Sequence, residues 1–204
     1  LSALGLFAGH SHTVGPLVNV YNGATARLLA ARGATRICLP PELPFTSVEK
    51  IAADAPDVAL EVFAFGRTPL AISARCAHAR SKGKIKDNCL FVCGDDPDGL
   101  TVKTLDRQPF LSLNGVQTLS HTCQTLLGDL PELVDAGINS FRLSPQACDM
   151  VAVARLYRDV LDGKRDGADA LASLADIYPD APFSNGFHHA REGAAFIARS
   201  RNAS

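Results

Sequence analysis

Residues 61–93 have the sequence EVFAFGRTPLAISARCAHARSKGKIKDNCLFVC. An apolar run, residues 60–65, is typical of a buried strand and stops at a Gly-Arg pair. The basic segment that follows carries three of the six cysteines, Cys76, Cys89 and Cys93. Their spacing, C-x12-C-x3-C, places three thiols on one loop beside the end of a strand. We therefore expect the chemistry of the protein to centre on this segment.

Strand and helix patterns alternate along the whole chain. Strands are predicted at residues 17–20, 36–39, 60–65, 109–113 and 140–143. Helices are predicted at residues 24–31, 46–53, 122–136, 147–161 and 168–177, the second opening with a capping box at Thr46 and Glu49. This alternation favours βαβ units and a parallel sheet.

The predicted fold class is α/β, the C-terminal part of a TIM-like βα barrel, with an open parallel α/β sheet as the alternative. A complete barrel needs roughly 250 residues, whereas this chain has 204 and begins with leucine. We expect a single domain over residues 1–204 that is incomplete at its N-terminus, with residues 76–108 as an inserted cysteine-bearing loop.

Composition excludes several classes of partner. The formal net charge is -1, which gives no reason to expect nucleic acid or a membrane surface as a partner. No apolar run is long enough for a transmembrane segment, and no signal peptide is evident. We expect a cytoplasmic protein with reduced thiols, because a disulfide framework is typical of short secreted chains.

The grouped cysteines indicate a metal or cluster site. Thiolates bind iron–sulfur clusters and zinc alike, and the spacing alone also permits three unconnected cysteines. Exposed cations would help to keep such thiols deprotonated; those in the segment are Arg75, Arg80, Lys82, Lys84 and Lys86. Cys123 and Cys148 fall in predicted helices, so we expect them to be core or half-buried residues, and Cys38 falls in a predicted strand and should face the core.

Polar side chains follow the ends of the predicted strands. They are Asn22, Arg67, Asn114, Gln117, Arg142 and Gln146. In a βα barrel these positions face the mouth of the active site, so they define a candidate pocket, although asparagines at such positions also serve as turn and cap residues. The two arginines favour a pocket for an anionic or polar group.

Hydrolytic motifs are missing from the sequence. Neither HExxH nor GxSxG occurs. His188 and His189 with Glu192 could bind a metal, but a solvated tail is the more frequent context for such residues. His10 and His12 are interpreted as exposed loop residues.

Several motifs together resemble the peptidase U32 family. They are EVFAFGRTPLAISARC with the following KDNC, Cys93 and PDG, then FLSLNGVQTLS and FRLSPQ, and also NVYN at 19–22, RICLPPEL at 36–43 and SNGF at 184–187. The resemblance covers nearly the whole chain and is closest to the branch of the family that serves oxygen-independent ubiquinone biosynthesis.

This resemblance implies a [4Fe-4S] cluster held by Cys76, Cys89 and Cys93, with a fourth cysteine upstream of this chain. It also implies a barrel-like fold, a heterodimer with a sister U32 subunit, and a ubiquinone precursor as substrate of an oxygen-independent ring hydroxylase. Zinc is the alternative metal, and a U32-type peptidase or an RNA-modification (hydroxylation) protein is the alternative function. Two departures from the family pattern stand out. Cys38 does not match the upstream ligand, and Ser184 stands where relatives often have cysteine.

Overall fold

The computed structural model describes residues 2–179 and 182–198. The strands are β1 (His12–Val14), β2 (Ala34–Cys38), β3 (Ala59–Ile72), β4 (Leu100–Lys103), β5 (Pro109–Asn114), β6 (Gln117–Thr125), β7 (Ser140–Leu143) and β8 (Phe183–Ser184). The helices are α1 (Gly23–Ala30), α2 (Phe45–Asp54), α3 (Ala77–Ser81), α4 (Leu130–Asp135), α5 (Met150–Leu161) and α6 (Gly167–Ile177). Short 3-10 turns at Pro16–Val18, Lys86–Asn88, Val92–Asp95 and Leu127–Asp129 connect some of these elements.

All eight strands belong to one open, mixed sheet. Its order is β1-β2-β3-β6-β5-β4, while β7 pairs with β3 and β8 with β6. The pairings β1–β2, β2–β3, β3–β7 and β6–β8 are parallel, as the βαβ pattern predicts. The pairings β3–β6, β5–β6 and β4–β5 are antiparallel, and short connections join β4 to β5 and β5 to β6.

The expected barrel is not confirmed. The path of described strands has two ends, β1 and β4, so the sheet is open, as in the alternative α/β reading. The antiparallel pairings among β3, β4, β5 and β6 were not predicted from the sequence. They arise because residues 117–125 form β6 and not the start of the helix predicted at 122–136. Only α4 is helical in that region, and Pro131 lies in its first turn.

Other predicted boundaries also change. Residues 17–20 do not form a strand; a 3-10 turn occupies Pro16–Val18, and the first strand is β1, inside the expected loop. Thr46 lies within α2, whose N-cap is Pro44, so the proposed capping box is wrong. The remaining helices near 24–31, 147–161 and 168–177 are confirmed as α1, α5 and α6, each capped by an Asn or Asp side chain.

Strand β3 is longer than the sequence suggests. It does not end at the Gly-Arg pair but runs through it to Ile72, with irregular register on either side of Pro69. Gly66 has φ +120°, which only glycine adopts readily, and a Cβ there would lie 2.7 Å from the Cβ of Ser144. The strand continues because glycine permits this close approach to the segment after β7.

One hydrophobic core lies between the sheet and the helices. Its centre includes Phe65 on β3, whose ring meets Tyr157 and Tyr178 edge-on at centroid distances of 6.2 and 6.5 Å. The buried Tyr157 hydroxyl donates to the Ala64 carbonyl oxygen at 2.8 Å and lies 2.9 Å from Thr125 Oγ1. These contacts fasten α5 to β3 and β6 where those two strands pair. In the described part of the chain, no helix is both long and apolar enough to cross a membrane.

Replacing Gly66 with alanine should destabilise the protein by about 3 kcal/mol, because a strained backbone and overpacking each cost about 1–3 kcal/mol. Gly83 is the matched control, since it also has a positive φ of +67° but has nothing within 4 Å of an added Cβ. Gly83→Ala should cost only about 1 kcal/mol of backbone strain. Urea unfolding of both variants measures the free energy of unfolding. Equal losses in the two variants would show that the close approach to Ser144 does not limit which residue can occupy position 66.

Candidate functional site

The segment between β3 and β4 presents the three grouped cysteines. Cys76 is the N-cap of α3, and its buried Sγ accepts the Ala79 backbone N–H at 3.3 Å. Cys89 is half-buried, and its Sγ accepts the Phe91 N–H at 3.4 Å. Cys93 is half-buried within a 3-10 turn. Two of the three grouped sulfurs are thus held in place by backbone N–H groups.

A buried histidine fastens this segment to the sheet. His78 on α3 is fully buried; its Nδ1 lies 3.0 Å from the Leu113 carbonyl oxygen and its Nε2 lies 3.0 Å from Asp96 Oδ2. The Lys82 ammonium lies 3.0 Å from the same carboxylate oxygen. The hydrogen bond from Lys82 is the main reason that the pKa of Asp96 is held below its ordinary value. This anchor has no local signature in the sequence, because Asp96 and His78 are 18 residues apart.

The same contacts argue against a cysteine–histidine catalytic pair. Each His78 ring nitrogen has a partner, and neither partner is Cys76. The Cys76 sulfur interacts instead with its own helix turn. The nearest histidine in sequence is therefore a structural anchor and not a base for that thiol.

The sulfurs of the three grouped cysteines are not gathered around one point. Four thiolates around one zinc ion, with Zn–S bonds of about 2.3 Å, lie about 3.8 Å from each other. Within the described ranges, the three sulfurs are not gathered to within 4.8 Å of one another. In a [4Fe-4S] cluster each cysteine binds a different iron, so its ligand sulfurs stand further apart. The spacing of the three sulfurs therefore does not match that of ligands around one zinc ion.

The remaining cysteines are not in this segment. Cys38 and Cys123 are fully buried, and burial raises the pKa of each thiol to about 12, so both stay neutral. Cys123 lies on β6 and not on a helix as expected. Cys148 was also expected in a helix but precedes α5; it is half-buried, and its Sγ donates to Met150 Sδ at 3.8 Å.

A cavity of about 330 Å³ lies beside the cysteine segment. Five of the six residues expected at a pocket line it, namely Arg67, Asn114, Gln117, Arg142 and Gln146. Asn22 lies elsewhere: its side chain caps α1 by accepting the Thr25 N–H at 2.8 Å. Phe63, Leu119 and four prolines add apolar surface. The cavity thus combines two cations and three amides with an apolar wall.

The two arginines are held in different ways. Arg67 is 8% exposed and donates through Nη1 to the Ser120 and His121 carbonyl oxygens, while its buried Nε has no partner among the described residues. Arg142 is half-buried, and its Nε donates to Glu61 Oε1 at 2.7 Å. A buried donor without a hydrogen-bond partner raises the free energy of the folded protein. A ligand with an acceptor oxygen near Arg67 Nε would supply that partner and so bind more tightly.

One acidic residue in the cavity wall is already satisfied. Asp98 accepts the Ala147 backbone N–H and the Tyr178 hydroxyl, each at 2.6 Å. The pKa of Tyr178 is raised by its burial and by this bond, so the hydroxyl stays protonated as a donor. Asp98 is thus occupied as an acceptor by the protein, and the cavity wall contains an acidic side chain as well as the two arginines.

The cavity and the cysteines share one turn. An added Cβ at Gly115, between β5 and β6, would lie 3.9 Å from Cys93 Sγ. Asn114 and Gln117, which flank this turn, line the cavity. On the other side, the chain passes directly from the 3-10 turn that holds Cys93 to Pro97 and Asp98 in the cavity wall.

The histidines do not lie where the sequence reading placed them. His188 is buried and its Nε2 bonds to Glu132, so the expected solvated tail is wrong. His189 lies beside Asp129, whereas Glu192 is exposed. His10 is exposed as expected, but His12 is half-buried on β1. Ser184 is buried and its hydroxyl donates to Thr122 Oγ1 at 2.9 Å.

Comparison with known proteins gives one family match. The family model described as peptidase family U32 matches residues 6–197, which include the cysteine segment and the whole cavity wall. No solved structure matches the chain.

Replacing Asp96 with asparagine should destabilise the protein by about 1–3 kcal/mol at neutral pH, because it weakens the partner of the buried His78 and of Lys82. Asp96 has a lowered pKa in the folded state, so its contribution is complete above the ordinary carboxyl pKa of about 3.9 and is lost as pH falls through the folded value. The stability difference from wild type should therefore shrink in acid.

The exposed neighbour Asp95 provides the control, since Asp95→Asn should change stability little at any pH. Denaturant unfolding measured from neutral to acid pH checks both variants. A loss for Asp96→Asn that is independent of pH, or no loss at neutral pH, would contradict the anchoring role.

Proposed function

Because the chain belongs to peptidase family U32, we propose that it is an iron–sulfur accessory protein of oxygen-independent ubiquinone biosynthesis, a counterpart of the ubiquinone-biosynthesis protein UbiV. In this role it is a subunit of an anaerobic ring hydroxylase and acts together with a sister U32 subunit. The observation that carries the proposal is the shared turn at Gly115, which brings the cysteine segment and an arginine-bearing cavity side by side.

Cys76, Cys89 and Cys93 are the proposed ligands of a [4Fe-4S] cluster. Such a cluster supplies one-electron transfer when bound. The protein's own contribution is to hold the thiols on short turns, direct the Ala79 and Phe91 N–H groups at two sulfurs, and carry exposed cations in the same segment. Hydrogen bonds to sulfur and nearby positive charge both offset the negative charge of a cluster.

The cavity is the proposed site for the ring of a ubiquinone precursor. An aromatic ring with oxygen substituents needs an apolar wall and donors for its oxygens. Phe63 and Leu119 provide apolar surface, while Arg67, Arg142 and the amide side chains provide donors. These residues would bind and orient the ring next to the turn that contacts Cys93.

Exposed apolar side chains support a protein partner near the cysteines. On the end of β3 and in the cysteine segment, Leu70, Ile72, Ile85, Leu90 and Phe91 are between 46% and 82% exposed. Large apolar groups gathered on one stretch of surface are typical of an interface. A sister subunit docked there would cover the cysteine segment and limit its contact with water.

Anaerobically reconstituted full-length protein should bind iron and sulfide and show a visible sulfur-to-iron charge-transfer band. Cys76→Ala should abolish this band, because it removes one of the three grouped thiols. Cys148→Ala is the matched control, since Cys148 is half-buried but lies outside the segment, and it should keep the band. Stoichiometric zinc without iron after anaerobic purification would contradict the proposal.

Deleting the gene should abolish ubiquinone synthesis under anoxia and leave it intact in air. The wild-type gene and the Cys148→Ala form should restore anaerobic quinone, whereas the Cys76→Ala form should not. Quinone extraction and chromatography measure the result. Unchanged quinone in both conditions would contradict the proposal and favour the peptidase or RNA-modification alternatives.

A further inference from the structure

A second group of metal-binding side chains lies away from the cysteines. Among the described residues, ligand atoms of Asp129, His188 and His189 all lie within 4.8 Å of one another. Asp129 is in the 3-10 turn that leads into α4, and the two histidines follow β8 near the end of the described chain. The group therefore joins two segments that are almost 60 residues apart in sequence.

The protein around the group holds these side chains in place. Asp129 is 1% exposed, and its Oδ2 accepts from the Asn185 amide at 3.1 Å. Asn185 is itself fixed, since its Oδ1 accepts the Ile197 N–H at 2.7 Å. The Phe45 N–H donates to the His188 carbonyl oxygen at 2.9 Å. The donors are thus largely preorganised, as in protein metal sites.

The polar contacts within the group are incomplete. His189 Nε2 lies 3.2 Å from Asp129 Oδ1. This nitrogen is buried, but its geometry does not allow a hydrogen bond to any described residue. A ring nitrogen and a carboxylate oxygen that are close but not aligned for a shared proton can both bind one cation instead. The lone pair of a neutral imidazole then has a partner.

We propose that Asp129, His188 and His189 bind one divalent transition-metal ion, for which zinc is the probe. Two imidazoles and one carboxylate suit zinc or iron(II) and not calcium or magnesium, which prefer oxygen ligands alone. Glu132, bonded to His188 Nε2, supplies the carboxylate that commonly orients a metal-bound histidine. The bound ion joins the segment after β8 to the start of α4.

This site is independent of the proposed cluster, and the experiment separates the two. In full-length protein with Cys76, Cys89 and Cys93 all replaced by serine, calorimetric titration with zinc chloride should give one bound ion per chain. Zinc should also raise the Tm of this protein, because an ion that binds only the folded state stabilises it. Absence of both effects overturns the proposal.

Single substitutions in the cysteine-free protein locate the ion. Asp129→Asn keeps the shape of the side chain, and His189→Ala removes a half-exposed ring. Each should weaken zinc binding by about 100-fold or more, since losing even a supporting residue costs about 10–100-fold. Glu192→Gln is the matched control, because Glu192 is a nearby exposed carboxylate outside the group, and it should bind zinc as before.

Unchanged binding in Asp129→Asn and His189→Ala overturns the proposal, as does its loss in Glu192→Gln. In protein that retains its cysteines, cobalt(II) provides a second readout that does not depend on any substitution. One cobalt ion should give a visible spectrum without thiolate charge transfer. If every bound cobalt shows thiolate charge transfer, the proposal is likewise overturned.

Discussion

The close approach of Gly66 to Ser144 is the constraint on which the rest of the structure depends. It allows β3 to continue past the point where an ordinary strand would stop and to exchange the parallel partners β2 and β7 for the antiparallel partner β6. The first half of β3 thus belongs to a βαβ core, and its second half supports the hairpins that carry the cavity. Arg67, directly after the glycine, is thereby buried in the cavity wall instead of lying in a loop.

The cysteine segment depends on this extension in turn. Because β3 runs to Ile72, the chain leaves the sheet beside the turn between β5 and β6, and α3 can place His78 against the Leu113 carbonyl oxygen. Asp96 completes the anchor, and the following residues pass directly into the cavity wall. The proposed cluster ligands and the proposed ring site therefore lie next to each other, on either side of the turn that contains Gly115.

Local patterns were sufficient for part of this arrangement. Helix-forming stretches located α1, α5 and α6, and short apolar runs located β2, β5 and β7. The thiol grouping was also visible, because it depends on residues that are near in sequence. Five of the pocket residues were also predicted correctly, because they follow or lie within strands that meet in one sheet.

What could not be predicted depends on contacts distant in sequence. Gly66 was predicted to end a strand, because the residue whose close approach requires glycine there, Ser144, is 78 residues away. Residues 122–125 read as a helix because the pairing of β6 with β3 has no local signature. His188 looked solvated because its partner Glu132 is 56 residues away. Asn22 read as a pocket residue because the same side chain serves equally well as a helix cap.

The central claim is that a cluster held by Cys76, Cys89 and Cys93 lies next to the ring of a bound quinone precursor. Electron–nuclear double resonance on the reduced, reconstituted full-length protein tests this directly when the precursor carries deuterium on its ring. The account predicts a deuterium coupling to the cluster spin that disappears when unlabelled precursor replaces the labelled one. A cluster signal with no deuterium coupling, in protein saturated with the labelled precursor, would contradict it.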